Sequence, residues 1–127
     1  MRNVLLLSSG IINILVAALH IAFWPLLNWS NELQSLSKGT AAILQVENLI
    51  IIFMVSYFSI MSFVLLKDKK PDIFARSIVL CIIGFYAIRL IAGYPLFGFS
   101  IEEMVIWIIC ILLIAAYTSI LFIKVKA

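Results

Sequence analysis

The chain has 127 residues, of which 65% are hydrophobic and 12% are charged. A soluble domain is about half apolar and about a quarter charged, so this composition excludes an ordinary water-exposed globular surface. The net charge of +3 comes from basic residues in short connections rather than from a basic patch, and no nucleic-acid partner is expected. The composition therefore predicts an all-α integral membrane protein whose first partner is the lipid bilayer.

Four apolar blocks predict transmembrane helices. Their bounds are about 4–27, 41–66, 73–96 and 102–123. Each can cross a hydrocarbon core of about 30 Å at about 1.5 Å per residue. Backbone polar groups must be paired within lipid, and these blocks lack the alternation of barrel strands, so helices are predicted. We expect one membrane domain, residues 1–127, folded as a four-transmembrane-helix bundle.

The first block starts after MRN and continues through Leu27, which is longer than a usual signal-peptide core, so we expect it to be retained. One side of this helix carries small and polar residues at spacings of three and four: Gly10, Asn13, Ala17, His20 and Trp24. Such residues are typical of faces that pack against other helices. His20 is the only histidine, and no metal or cofactor is expected.

A long polar connection, residues 28–39, leads to the second block, where the motif QVEN covers Gln45 to Asn48. The segment from Leu49 to Leu66 could span alone, so QVEN either marks the headgroup-level start of the helix or is buried within the protein. In the buried case, His20 could hydrogen-bond to Asn48 or to Gln45. Glu47 points about 100° away from Asn48 on the helix and could face a different neighbour.

The third block contains Arg89 within the stretch FYAIRLIAGYP. A charge inside a span costs at least about 2.5 kcal/mol, so it points into the protein, pairs, or snorkels to the interface. One interpretation is a structural ion pair with Glu103 or Glu47, with Tyr86 or Tyr94 nearby. The other is an anchor for an anion, because the planar guanidinium binds carboxylates and phosphates in bidentate fashion.

The fourth block follows a very short link, which predicts an antiparallel hairpin with the third. Ser100 before Glu102 and Glu103 predicts a capped helix start. The predicted packing face comprises Glu103, Trp107, Cys110, Ile114 and Tyr117. Cys81 and Cys110 lack any CxxC or Cys/His pattern, so neither a disulfide nor a metal site is predicted.

Charge placement predicts the orientation. Basic residues precede the first helix, fill the link between the second and third, and follow the fourth: Arg2, Lys67, Lys69, Lys70, Arg76, Lys124 and Lys126. Lys and Arg are retained on the cytoplasmic side, so four crossings place both termini in the cytoplasm. The expected location is the cell membrane, meaning the inner or plasma membrane, with multi-pass topology.

Counted from the basic anchors at about 1.5 Å per residue, the ionisable and amide side chains gather in the outer third of the membrane. The candidate ligand-binding residues are Arg89, His20, Gln45, Asn48, Glu47, Glu103 and Tyr86. The favoured function is a non-catalytic subunit that binds an anionic small molecule or lipid and works as a homo-oligomer or with a membrane partner. The alternatives are a small transporter or channel subunit, and an enzyme using His20, Glu47 and Arg89.

Overall fold

The computed structural model describes residues 1–67 and 72–123, except for the side chains of Tyr94 and Phe97. Helix α1 spans Arg2–Leu26, α2 Trp29–Glu32, α3 Lys38–Lys67, α4 Ile73–Phe97 and α5 Ile101–Phe122, with a 3-10 turn at Leu33–Ser35. Every regular element in these two ranges is helical. Four segments are long and apolar enough to span a membrane: Arg2–Leu26, Lys38–Lys67, Ile73–Gly93 and Ile101–Phe122. This confirms the predicted all-helical architecture with four candidate spans.

The apolar surface of these four segments is mostly exposed. Only 22% to 28% of the most apolar window of each is buried. In water such exposure would be unfavourable by about 25 cal/mol per Å² of apolar area. Lipid tails solvate the same surface, so the burial pattern agrees with a multi-pass membrane protein.

Helix starts follow local capping chemistry. Helix α3 begins at Lys38, three residues before the predicted 41, because Ser37 Oγ accepts a hydrogen bond from the Thr40 N–H at 3.2 Å and lies 2.8 Å from Thr40 Oγ1. The predicted cap of α5 is confirmed, with Ser100 Oγ accepting from the Glu103 N–H at 3.2 Å. The topology signals Lys69, Lys70, Lys124 and Lys126 lie outside the described residues.

Two helices carry a proline in their last turn, namely Pro25 in α1 and Pro95 in α4. Proline has no N–H, so each helix loses the hydrogen bond that would have reached the carbonyl four residues earlier. Helix α1 ends one residue after Pro25 and α4 ends two residues after Pro95. The prolines therefore mark where the helices stop rather than bending them midway.

Contacts divide the chain into two units, which are described separately: Gly10–Ile60, and Met1–Ser9 together with Met61–Ala127. In Gly10–Ile60, α1 and α3 are joined by side chain to backbone hydrogen bonds. Ser59 Oγ donates to the Gly10 carbonyl at 2.9 Å, and Asn48 Nδ2 donates to the His20 carbonyl at 3.2 Å. The contacts advance along α1 while they retreat along α3, so the two helices are antiparallel.

The connection between α1 and α3 is held against α1 by aromatic rings. Asn28 adopts the left-handed conformation with φ 47°, which asparagine tolerates better than most residues. This turn brings the Trp29 ring edge-on to Trp24 and Phe23, with centroid distances of 5.6 and 6.4 Å. Leu33 is buried. The connection is therefore anchored through Trp29 and Leu33, which lie in α2 and the 3-10 turn.

In the other unit, α4 and α5 pack against each other as the predicted antiparallel hairpin. Gly98, with φ +70°, supplies the left-handed residue that the tight link requires. Helix α5 buries one face at helical spacing, formed by Glu103, Cys110, Leu113, Tyr117 and Ile120. Ser62 of α3 and Tyr117 share a hydrogen bond between their hydroxyl groups, and both residues are fully buried.

The predicted packing face of α1 is confirmed over most of its length. Gly10, Asn13 and Ala17 are buried, and His20 is half-buried. Trp24, at the end of the same stripe, is 42% exposed and instead contacts Trp29. The buried part of the stripe thus serves helix packing, as small and polar residues in membrane helices usually do.

Candidate functional site

The centre of the candidate site is an ion pair between α4 and α5. Arg89 Nη2 donates to Glu103 Oε1 at 2.8 Å. The Arg89 side chain is 30% exposed and that of Glu103 is 10% exposed. Of the two acids predicted as partners of Arg89, Glu103 therefore forms an ion pair, and the more accessible member of the pair is the cation.

Local structure explains why these two side chains meet. Ser100 fixes the first turn of α5 by accepting the Glu103 N–H, which places Glu103 on the buried face of that helix. The tight link at Gly98 then sets α4 and α5 antiparallel, so a residue near the end of α4 lies beside the start of α5. Arg89 and Glu103 are 14 residues apart in sequence, a separation that the hairpin closes.

Two further residues complete this cluster, and neither was predicted as a site residue. Gly93 lies one turn after Arg89, and Trp107 lies one turn after Glu103. A Cβ atom placed on Gly93 would lie 2.6 Å from Arg89 Nη1, 2.9 Å from Trp107 Nε1 and 3.3 Å from Glu103 Oε2. The missing side chain of Gly93 thus makes the space in which the three polar groups converge. The i, i+4 spacing of both pairs was the signal that could have indicated it.

Tyr86 is predicted to lie near Arg89, three residues earlier on α4. The structure buries Tyr86 to 3% exposure and stacks its ring edge-on to Phe85 at 5.3 Å. The Tyr94 side chain, named with it as a neighbour of Arg89, lies outside the described residues. Tyr86 therefore belongs to the packed part of α4, about one helical turn before Arg89.

The other four predicted site residues belong to the unit Gly10–Ile60. His20 Nδ1 lies 2.9 Å from the Val16 carbonyl, which can only accept, so the ring carries its proton on Nδ1. Asn48 is buried and donates to the His20 backbone carbonyl rather than to the ring. Gln45 is half-buried, and Glu47 is exposed. Because α3 starts at Lys38, QVEN lies within the helix, with Asn48 alone buried.

These two sets of residues lie in different units, so the prediction that they share one level in the outer third of the membrane stays a prediction. Within Gly10–Ile60, a groove of about 460 Å³ is lined by Trp24, Ser30, Leu33, Gln34, Leu36, Lys38, Ala41 and Gln45. Its lining mixes apolar, amide and cationic groups. Gln45 is the one predicted site residue that lines it.

Arg2 was predicted only as a topology signal, yet it is buried to 8% exposure. Its Nη2 donates to the Leu65 carbonyl at 2.8 Å. That carbonyl lies in the last turn of α3, where carbonyls lack partners within the helix and the helix dipole favours cations. No sequence pattern indicated this contact, because it depends on how α1 meets the end of α3.

Within residues 1–67 and 72–123, no three His, Cys, Asp or Glu side chains are placed to hold a metal ion. Cys81 is exposed, Cys110 is buried, and both are free thiols. The chemistry that the α4–α5 cluster offers is charge-assisted hydrogen bonding by a positioned guanidinium. No family model matches the chain, and neither the curated proteins nor the solved structures include a match.

Proposed function

We propose that this chain is a non-catalytic subunit of the inner or plasma membrane that binds an anionic ligand, a lipid headgroup or small anion, at Arg89. Both termini face the cytoplasm in this proposal, and the chain works as a homo-oligomer or with another membrane protein. The observation that carries the proposal is the unequal exposure of the ion pair, 30% for Arg89 and 10% for Glu103.

The unequal exposure matters because an ion pair has little net charge at a distance but a strong local field. In this proposal an anion approaches along the more accessible Arg89 side chain and displaces its neighbours to reach the guanidinium, because Nη1 is buried beside Gly93 and Nη2 is held by Glu103. Glu103 holds one nitrogen of the guanidinium at 2.8 Å, which fixes its plane and lowers the entropy lost on binding. Hydrogen bonds to a charged group contribute about 1.5 to 3 kcal/mol each.

The aromatic surroundings support an interfacial ligand. Trp107 lies beside the ion pair at Gly93, and its ring contacts Phe99 edge-on at 6.0 Å. Phe99 itself is 71% exposed. Tryptophan is enriched at the level of the lipid headgroups, where its ring is partly apolar and its N–H can meet polar groups. A lipid phosphate or a small carboxylate would reach Arg89 at that level.

The test compares Arg89→Gln with Glu103→Gln in protein purified from its own membrane. Native mass spectrometry and lipid extraction measure the bound anion. Arg89→Gln should reduce its occupancy about tenfold or more, since one charge-assisted contact exceeds about 1.4 kcal/mol. Glu103→Gln should retain occupancy, because the glutamine amide oxygen can still accept a hydrogen bond from Arg89 while the competing negative charge is removed.

Lys38→Gln, which removes an exposed cation elsewhere, is the matched charge control. A purely structural ion pair gives a different pattern: both variants lose stability alike and neither changes the bound lipid. That result would rule out the proposal. Thermal unfolding in detergent, measured on the same preparations, separates lost binding from lost folding.

The two alternative functions, a transporter or channel subunit and an enzyme, are less well supported by the observed side-chain contacts. A transporter or channel subunit needs a polar path, but Ser59 is bonded to the Gly10 carbonyl and Ser62 to Tyr117, so these hydroxyls hold helices together. An enzyme would need His20 and Glu47 beside one substrate. In Gly10–Ile60 the His20 ring is engaged with Val16, and Glu47 is exposed.

A further inference from the structure

A second basic site lies near the other end of α4, within Met1–Ser9 and Met61–Ala127. A cavity of about 20 Å³ is lined by Arg2, Arg76 and apolar residues that include Leu65, Val79 and Ile120. Arg76 and Arg89 are 13 positions apart on one helix, or about 20 Å along its axis. This cavity is therefore separate from the cluster at Arg89.

The first feature of this cavity is a buried and fixed arginine. Arg2 is 8% exposed, and Nη2 is held by the Leu65 carbonyl at 2.8 Å. A guanidinium carries five N–H donors in a rigid planar fork, so one group can serve a helix carbonyl and an oxygen in the cavity together. The rotamer is set before any ligand arrives, which favours binding.

The second feature is the exposed arginine at the mouth. Arg76 lies in the first turn of α4 and is exposed, and it lines the cavity together with its small, buried neighbour Ala75. The nearby Asp72 carboxylate accepts the Ala75 N–H at 2.8 Å and so caps the helix. No acid is among the described residues that line the cavity. The lining thus combines two cations with hydrocarbon.

Size defines how an anion would bind. A volume of about 20 Å³ exceeds the roughly 10 to 15 Å³ that one water-sized probe requires. It admits a single oxygen atom and not a whole phosphate group. One phosphate oxygen would enter toward Arg2, while the rest of the group stays at the mouth with Arg76.

We propose that this cavity binds the phosphate of an anionic phospholipid, with an acyl chain along the exposed apolar surface of α4 at Leu80, one turn after Arg76. Basic pockets between membrane helices are suited to such headgroups. The exposed apolar surface at Leu80 favours a lipid over free phosphate, because free phosphate gains nothing from hydrocarbon contact. This site is independent of the function proposed for Arg89.

The experiment measures lipid binding by the full chain in nanodiscs of phosphatidylcholine containing a few per cent fluorescent phosphatidylglycerol. Energy transfer from the tryptophans, or lipid counts from native mass spectrometry, reports retention next to the protein. Arg76→Gln should weaken phosphatidylglycerol retention about tenfold. Lys67→Gln, which removes an exposed cation that does not line the cavity, should change it less than twofold.

Three outcomes would overturn the proposal. Equal losses in Arg76→Gln and Lys67→Gln would mean diffuse attraction of anionic lipid. Displacement of the lipid by millimolar inorganic phosphate would mean a free-anion site. Equal retention of phosphatidylcholine and phosphatidylglycerol would mean that the site does not distinguish anionic from zwitterionic headgroups. Arg2→Gln should lose retention as well, and if it fails to fold, Arg76→Gln decides the question, because Arg76 is exposed.

Discussion

Gly93 shows how a residue without a side chain can define a polar cluster. A Cβ there would approach the Arg89 guanidinium to 2.6 Å and the Trp107 indole nitrogen to 2.9 Å. The Arg89 side chain is long and flexible, but Glu103 holds it in place at 2.8 Å. Space for a methyl group can therefore be made only by weakening the ion pair.

We predict that Gly93→Ala destabilises the protein by about 1 to 2 kcal/mol, as overpacking commonly does. Gly84→Ala is the matched control on the same helix, since nothing lies within 4 Å of its added Cβ. Alanine is favoured over glycine in helices by up to about 1 kcal/mol, so Gly84→Ala should be neutral or stabilising. Unfolding in SDS, followed by tryptophan fluorescence, measures both. Equal effects of the two substitutions would contradict this account of the cluster.

At the residue scale, sequence reasoning found the ion pair but could not choose its partner. The sequence left Glu103, on the neighbouring helix of the hairpin, and Glu47 as candidate partners of Arg89, and the structure pairs Arg89 with Glu103. Gly93 and Trp107 were missed because their contact with the ion pair depends on the rotation of α4 against α5. Rotation is set by packing along the whole hairpin, and the i, i+4 spacing indicates only that each pair of residues shares one face of its own helix.

At the scale of elements, hydroxyl and amide groups join the helices. Ser62 and Tyr117 share a buried hydrogen bond, and Asn48 reaches the His20 carbonyl. Helices in lipid gain little from hydrophobic association, so such contacts and close packing carry the specificity. Sequence analysis placed Tyr117 on the packing face of the fourth helix but did not pair it with Ser62, which is 55 residues away in sequence.

We predict that a double-mutant cycle of Ser62→Ala and Tyr117→Phe gives a coupling free energy of about 0.6 to 1.7 kcal/mol, as measured for hydrogen bonds between membrane helices. The control cycle replaces Ser62→Ala by Ser119→Ala, since Ser119 is bonded to the Ala115 carbonyl of its own helix. That cycle should show no coupling with Tyr117→Phe. A coupling near zero for Ser62 and Tyr117 would mean that the shared bond does not join α3 to α5.

Helix limits were predicted closely where the caps are local. The start of α5 at Ile101 follows from Ser100, and the start of α3 at Lys38 could have been read from Ser37 and Thr40. The left-handed turn at Asn28 and the packing of Trp29 could not, because ring contacts depend on the path of the connection. The length of an apolar segment predicts a membrane span well, whereas the path of the chain between spans depends on tertiary contacts that the sequence does not show.

For the whole molecule, composition predicted the class. The requirement that lipid-embedded backbone be internally paired turns four apolar segments into four helices, and the structure confirms four candidate spans within the described residues. Orientation rests on the basic residues alone. It is the part of the proposed function that can be tested without knowing the ligand.

We predict that both ends of the chain face the cytoplasm. In a background with Cys81→Ala and Cys110→Ala, a membrane-impermeant maleimide on intact cells should label Leu36→Cys and Phe99→Cys, whose native side chains are 41% and 71% exposed. Lys67→Cys, at the end of α3, should react only after permeabilisation. Labelling of Lys67→Cys in intact cells would reverse the proposed orientation.

The ion pair of α4 and α5 also has a consequence for synthesis. Ribosomes deliver Arg89 first, and Glu103 emerges 14 residues later. In that interval α4 would bring a lone cation toward the bilayer, at a cost of about 2.5 to 3.5 kcal/mol on insertion scales. We expect the two helices to insert together as a hairpin, because the Arg89–Glu103 pair then forms before the cation enters the bilayer alone.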